Sequence, residues 1–462
     1  MTLALARYQK HLPYLKFVRD IFFSYLIFVL IIAFFGKGYS ATASLGIALF
    51  SCAIAIVFNI YRVQNIILKE VDYLFIGAIF IAQIIFGVIH FDLIINPNYF
   101  STDVLGVDIG GTYYHDIGYF AFLIDGIAEY RTDEGYFASD VSGSLFHKNY
   151  FLAYLVSDLF YFGDAYILNI LVINILAIFY SGVLLALIAN KLFHNLDINK
   201  RRMVFYLTIM QPFAWIPSHT MRDIFGAFII ILSVSLVLFS VTKIQKILFG
   251  LLSLALVFQH RSAYVISMFG SILVSNHSIF RVRKAAGALM AVVLFIPIIY
   301  LISSTNIWQQ FLTLFFLSQE NSMLSGAAND RGANFIEHAF KLIVGPFPWT
   351  QYFDGSVEGY AGFYSTTTIL QAAWHLTIIY FLTMKIKMII FYQNLRRYLY
   401  IVILFALPAT MSLGGMNMYL LPSFMLSLVF IQMITLSRFF KVFLTVVGVY
   451  ICMSALFYVF RI

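Results

Sequence analysis

Apolar runs of membrane-spanning length, cut by short charged gaps, recur along nearly the whole chain and predict an all-α polytopic membrane protein. A span needs about 20 apolar residues, because a helix must cross a hydrocarbon core about 30 Å thick. Runs that meet this need lie at 20–36, 41–60, 73–91, 165–190, 203–217, 224–242, 244–259, 262–276, 285–303, 364–383, 398–413, 418–437 and 442–460. The expected architecture therefore has about 12–14 transmembrane helices. The run at 244–259 is the weakest, with few residues between Lys246 and His260. Two long polar segments interrupt the pattern, one over residues 92–164 and one over residues 304–360. Both mix aromatic, acidic and glycine residues, which predicts folded outer loops in place of linkers. Inside the first, Tyr150 to Phe162 is apolar, too short to span and contains Asp158, so an interfacial or re-entrant helix is expected there. Residues 1–462 read as a single integral membrane domain, with no separate soluble domain left over.

Composition fixes the class more firmly. With 62% hydrophobic and 11% charged residues, the chain falls far outside soluble globular proteins. A net charge of +8 would suit a nucleic-acid partner if the cations formed one patch. They are instead dispersed in short clusters between apolar runs, which points to helix orientation and to no nucleic acid. Cys52 and Cys452 both fall within apolar runs and read as core thiols, so no disulfide framework is expected. Arg7, Lys10, Lys16 and Arg19 precede an apolar stretch that lacks a small-residue cleavage site. That stretch is read as a first membrane anchor with its basic end in the cytoplasm, not as a signal peptide.

With residue 1 in the cytoplasm, 21 of the 29 basic residues fall in cytoplasmic gaps. Only Lys37, Arg131, Lys148, Arg222, Arg261, Arg331, Lys341 and Arg461 lie outside, and the inverted topology would reverse the asymmetry. The expected location is the cytoplasmic (inner) membrane. Among the acids, Asp20, Glu70, Asp72 and Asp197 are inside and the other 17 of 21 are outside, so the outer face holds the polar chemistry. Arg222, Arg261 and Arg331 thus sit where cations are scarce, near span ends or in a large loop. A charge held there normally meets something anionic.

Three short stretches carry these arginines. Pro217-Ser218-His219-Thr220-Met221-Arg222-Asp223 joins two spans at their outer ends, where a planar guanidinium fork and helix N-terminal N–H groups suit the oxygens of a lipid diphosphate. The alternative for Arg222 is pairing with nearby acids or reaching to headgroups, with Ser218 or Thr220 capping the helix. Phe258-Gln259-His260-Arg261-Ser262-Ala263 lies between two spans with almost no loop, and a His-Arg pair at the membrane face can bind phosphate. For His260 alone, a hydrogen-bonded interfacial turn is an equal alternative. The third stretch, Asn329-Asp330-Arg331-Gly332, is followed by Glu337 and His338 and then by Gly345-Pro346-Phe347-Pro348-Trp349. On a helix, His338 would lie nearest the face of Arg331, which allows an acid/base pairing; surface ion pairing is the alternative for Glu337. The proline and tryptophan segment suits sugar rings and membrane anchoring equally. In the first outer loop, Asp116 beside His115 is the carboxylate singled out as a possible base for a sugar hydroxyl, while most acids of that loop are expected simply to be solvated.

Met221-Arg222-Asp223 opening a span, His260-Arg261-Ser262-Ala263 about forty residues on, and the Gly345-Pro346-Phe347-Pro348-Trp349 segment after an arginine-bearing loop resemble the Wzy-type polysaccharide polymerases and the related EpsG-like proteins. The Tyr154 to Asn174 segment, ending in a span with Asn169 and Asn174, is also similar. Arg222 and Arg331 lack a glycine at that family's usual distance. The resemblance implies a metal-independent glycosyltransferase of the membrane-embedded C type, needing no cofactor. It implies transfer of a polyprenyl-diphosphate-linked oligosaccharide onto another lipid-linked glycan at the outer face, alongside a chain-length-regulating co-polymerase as partner. Arg222, Arg261 and Arg331, helped by His260, would bind the donor diphosphate, and Asp116, Glu337 or His338 would serve as weak base. Two rivals follow from the same residues. One is a metal-dependent transferase using polyprenyl-monophosphate sugars, with acids in the first outer loop. The other is a lipid-linked oligosaccharide flippase, which should carry charges inside its spans and show two related halves.

Overall fold

The computed structural model describes residues 14, 16–27, 30–31, 41–63, 66–90, 169–193, 196–215, 221–260, 264–275, 360–409, 415–429 and 435–461. These form helices and turns, with no sheet among the described residues. Residues 16–27 are helical. After them come α1 (Ala41–Val63), α2 (Asp72–His90), α3 (Asn169–Leu192), α4 (Ile198–Ile209), a 3₁₀ turn (Pro212–Trp215), α5 (Met221–Phe239) and α6 (Lys243–His260). The rest are α7 (Val265–Ser275), α8 (Tyr360–Phe391), α9 (Gln393–Ala409), α10 (Gly415–Val429) and α11 (Leu436–Arg461). By length and apolarity, Val172–Leu192, Ile369–Phe391 and Leu436–Met453 are long enough to cross a membrane, and shorter apolar helices accompany them.

Burial follows from which helices are apolar all round. Within α3, every residue from Val172 to Ala189 is buried, as expected of a helix without a polar face. It packs against α1, α2, α4, α5 and α10 and forms the axis of the bundle. Peripheral helices behave oppositely. On α6, Ile244, Ile247, Leu248, Leu251 and Leu252 repeat at helical spacing and are all exposed, as are Phe50, Ile54 and Val57 on α1 and Leu444, Val449 and Ile451 on α11. Exposed apolar stripes of this extent suit a lipid environment. Cys452 lies among them on α11 and is exposed, whereas Cys52 is buried. The expectation of two core thiols therefore holds only for Cys52, because an apolar run in a membrane helix has a lipid side as well as a core side.

Two spans differ from their expected form, and the weakest one is helical as expected. The run at 203–217 does not continue as one helix: α4 ends at Ile209, and the chain turns through Met210 and Gln211 into the 3₁₀ turn. Pro212 causes this, since it lacks a backbone N–H and disfavours helical geometry at the residue before it. The run at 244–259, the weakest by pattern, is a full helix because of a capping box. The Gln245 backbone N–H donates to Thr242 Oγ1 (3.1 Å), and Gln245 Oε1 accepts the N–H groups of Val241 (3.1 Å) and Thr242 (3.2 Å). The run at 364–383 extends to Tyr360–Phe391, past Lys385 and Lys387, whose long stems let the helix continue beyond the apolar stretch. The run at 285–303 lies outside the described residues.

Close approach of α3 and α4 depends on Gly182. A methyl group added there would stand 2.9 Å from Phe205 Cδ2 and 3.1 Å from Ile209 Cγ2, both on fully buried side chains. Gly182→Ala is therefore expected to destabilise the bundle by about 1–3 kcal/mol through overpacking. Gly77→Ala, where nothing lies within 4 Å, should be neutral or slightly stabilising. Thermal unfolding of the two variants in detergent checks the contrast.

Candidate functional site

Register contacts show how the helices alternate. Asn59 Nδ2 lies 3.4 Å from Tyr180 Oη and Cys52 Sγ lies 4.0 Å from the Val172 carbonyl, so α1 and α3 run parallel. Ser253 Oγ donates to the carbonyl of Ser233 at 3.1 Å, between the antiparallel helices α5 and α6. Consequently the end of α1, the starts of α2 and α4, the end of α3 and the α5–α6 junction gather at one pole of the bundle. The α4 end with its 3₁₀ turn, the start of α5 and the end of α6 gather at the other.

The first pole is basic, and three of its arginines are paired with carboxylates. Asp72, buried at the start of α2, accepts from Arg202 Nε (2.7 Å), Tyr206 Oη (2.7 Å) and the backbone N–H of Lys69 (2.7 Å), and Arg202 Nη2 reaches its other oxygen. The hydrogen bond to Asp72 holds the Arg202 guanidinium above its ordinary value. Asp20 takes Arg62 Nε at 2.9 Å and Arg19 Nη2 at 2.8 Å. Arg201 donates to the Ile66 carbonyl, Lys69 to Asn199 at 3.0 Å, and Lys191 to the Leu238 carbonyl while facing the Phe239 ring at 4.8 Å. Two of the four acids expected inside thus clamp arginines across elements. These contacts tie the starts of α2 and α4 together and join the ends of α3 and α5.

The opposite pole holds the sequence candidates that fall on described backbone. Arg222 is the second residue of α5 and His260 the last of α6. Counting from the Ser233–Ser253 contact, His260 is level with Gly226, one turn from Arg222, an axial offset of about 6 Å. The described backbone thus sets Arg222 and His260 at the same pole on adjoining helices. Arg261, Asp116, Arg331, Glu337 and His338 lie outside the described residues, as does most of both outer loops, residues 92–164 and 304–360. The structure therefore brings Arg222 and His260 to one pole and describes no relation among the others. Among the described residues, no three His, Cys, Asp or Glu side chains converge.

Beneath that pole lies a cluster that pattern reading passed over. Gln211, at the break after α4, donates to Ser423 Oγ at 2.7 Å, and Gln371 Nε2 donates to Gln211 Oε1 at 3.1 Å. Gln371 Oε1 accepts the backbone N–H of Phe213 at 3.1 Å, inside the 3₁₀ turn, and all three polar side chains are fully buried. The signal was available: Gln211 stands directly before Pro212 within an apolar run, and Gln371 within another. On the same turn Trp215 Nε1 donates to the Met210 carbonyl at 3.3 Å, supplying a donor to a freed helix-terminal acceptor.

The described residues form an all-helical bundle with exposed apolar stripes and three helices long and apolar enough to cross a membrane. No protein family, curated protein or solved structure matches the chain.

Proposed function

We propose that this chain is a polysaccharide polymerase of the Wzy type, a membrane glycosyltransferase built on a C-type plan with about 12–14 spans. It lies in the cytoplasmic membrane with the basic pole inward. The observation that supports this reading is the register that sets Arg222 and His260 one turn apart at the pole opposite the Asp20 and Asp72 ion pairs. At the basic pole, Asp20 and Asp72 engage arginines; Arg222 stands at a helix start on the face where cations are scarce. A lipid diphosphate fits that position, being anionic, planar-fork compatible and held at the membrane surface by its polyprenyl tail.

In this reading the donor is a polyprenyl-diphosphate-linked oligosaccharide and the acceptor a second lipid-linked glycan. The acceptor hydroxyl attacks the anomeric carbon of the donor, the bond to the diphosphate oxygen breaks, and the hydroxyl proton passes to a weak base. Negative charge grows on the departing diphosphate, and fixed cations in a water-poor site stabilise it. Arg222, Arg261 and Arg331 take that role, His260 adds a donor, and Asp116, Glu337 or His338 accepts the proton. The reaction so drawn uses no metal and no cofactor, and a chain-length-regulating co-polymerase is the expected partner.

Purified protein mixed with polyprenyl-diphosphate-linked repeat units should build a ladder of longer glycans at the same rate with and without EDTA. Loss of the ladder in EDTA and its recovery with a divalent cation would favour the metal-dependent transferase. Transbilayer movement of the repeat unit without any ladder would favour the flippase.

A further inference from the structure

From Tyr360 onward the chain carries seven lysines and arginines and no aspartate or glutamate. Six of these cations, Lys385, Lys387, Arg396, Arg397, Arg438 and Lys441, lie at the end of α8 and the starts of α9 and α11. The packing brings those three helix ends to the basic pole. Gln371 of α8 meets Phe213 of the opposite pole at 3.1 Å, and Lys385 follows 14 residues later, about 21 Å along the helix. α9 starts one residue after α8 ends, and Arg396 Nη1 donates back to the Ile390 carbonyl at 3.5 Å. α11 runs antiparallel to α8, because Ile369 clusters with Tyr450 while Phe381 stacks on Phe439 at 6.0 Å between ring centroids. Arg438 is therefore level with Leu382, about one turn from Lys385.

The two halves of the basic pole differ in their counter-charges. Asp20 and Asp72 engage Arg19, Arg62 and Arg202 in the first half. In the second half, among the described residues, no carboxylate pairs with any of the six cations. Helix orientation alone accounts for cations on this side. It does not account for Arg397, whose Nε is buried with no hydrogen-bond partner among the described residues. Burial, and then the neighbouring Arg396 charge, push the Arg397 guanidinium below its ordinary value. An anion held at these helix ends relieves both costs.

The surroundings narrow the kind of anion. Phe391, Tyr392, Tyr400 and Leu436 are exposed and lie within four residues of these cations along the chain. Apolar and aromatic side chains beside cations suit the level where headgroups meet hydrocarbon. A phospholipid supplies a phosphate for the guanidinium forks and acyl chains for the apolar neighbours, which a soluble anion does not. We propose that the end of α8 and the starts of α9 and α11 bind the headgroup of an anionic phospholipid in the leaflet on the side of the basic pole. This seat goes beyond the polymerase reading and does not depend on it, since that reading concerns the opposite pole.

The test uses the full chain, purified in neutral detergent and stripped of lipid. Phosphatidylglycerol should raise its thermal midpoint and bind saturably, as counted by native mass spectrometry, and phosphatidylcholine should do neither. Arg396→Gln combined with Arg397→Gln should weaken phosphatidylglycerol binding by about 30-fold. Lys243→Gln combined with Lys246→Gln removes the same charge from the start of α6 and should weaken it by less than about threefold. Arg396→Lys combined with Arg397→Lys should keep most of the binding, because the charge is retained. Without lipid, the Arg396/Arg397 glutamine variant should be at least as stable as wild type, since it removes two like charges and breaks no ion pair. Loss of stability in that lipid-free variant would mark the arginines as part of the fold and overturn the proposal. Equal protection by phosphatidylcholine, or equal weakening by the two glutamine double variants, would overturn it as well. Equal protection by inorganic phosphate at the same concentration would overturn it in favour of a soluble anion.

Discussion

Asp72→Ala is expected to lower stability by about 3–5 kcal/mol, the largest effect of any single change at the basic pole. The reason is the number of groups that depend on one buried carboxylate. Arg202 bonds both of its oxygens, Tyr206 and the Lys69 N–H bond one each, and together they tie the start of α2 to α4. Removal leaves the Arg202 guanidinium, only 22% exposed, without a counter-charge. Arg62→Ala should behave differently and cost less than about 1 kcal/mol. Arg62 is 38% exposed, and its partner Asp20 keeps the bond from Arg19. Denaturant or thermal unfolding in one detergent, with both variants beside wild type, measures the difference. Near-equal losses would show that Asp72 does not tie the two elements together.

The second large effect concerns the opposite pole. Arg222→Ala should slow polymerisation by about 100–1000-fold, the usual range for removing one fixed donor to a developing negative charge. Arg222→Lys should recover part of this, since it restores charge but not the fork. His260→Ala should have a smaller effect. Because Arg222 and His260 are one turn apart on adjoining helices, the double variant should be less impaired than the product of the single losses would require, as for residues that act on one group. Single-turnover rates for the two single variants and the double variant give the coupling directly. Strict multiplication of the effects would mean that the two side chains serve separate ends.

Much of the helical framework was legible in the sequence because its causes are local. A run such as Val172 to Ala189, apolar apart from Asn174, Tyr180 and Ser181, was legible as a span from its composition. The charge asymmetry likewise anticipated a basic pole. Elements whose form depends on a neighbour were less legible. The run at 203–217 looked continuous because Pro212 is one residue among many apolar ones, and the groups that stabilise its break, Gln371 and Ser423, are 160 and 212 positions from Gln211. The Asp20–Arg62 pairing spans 42 positions and leaves no local trace. At the candidate site, Arg222 was identified by the rarity of cations at that face, and His260 by its place beside Arg261. Their placement one turn apart needed the Ser233–Ser253 contact, which no pattern along the chain reveals.

Conversion of lipid-linked repeat units by purified wild type and by the Arg222→Ala, Arg261→Ala and Arg331→Ala chains, followed over time, tests the central claim most directly. Wild type should build a glycan ladder, and each variant should do so slower by about 100-fold or more. If all three variants built the ladder at the wild-type rate, arginine binding of a diphosphate leaving group would be contradicted.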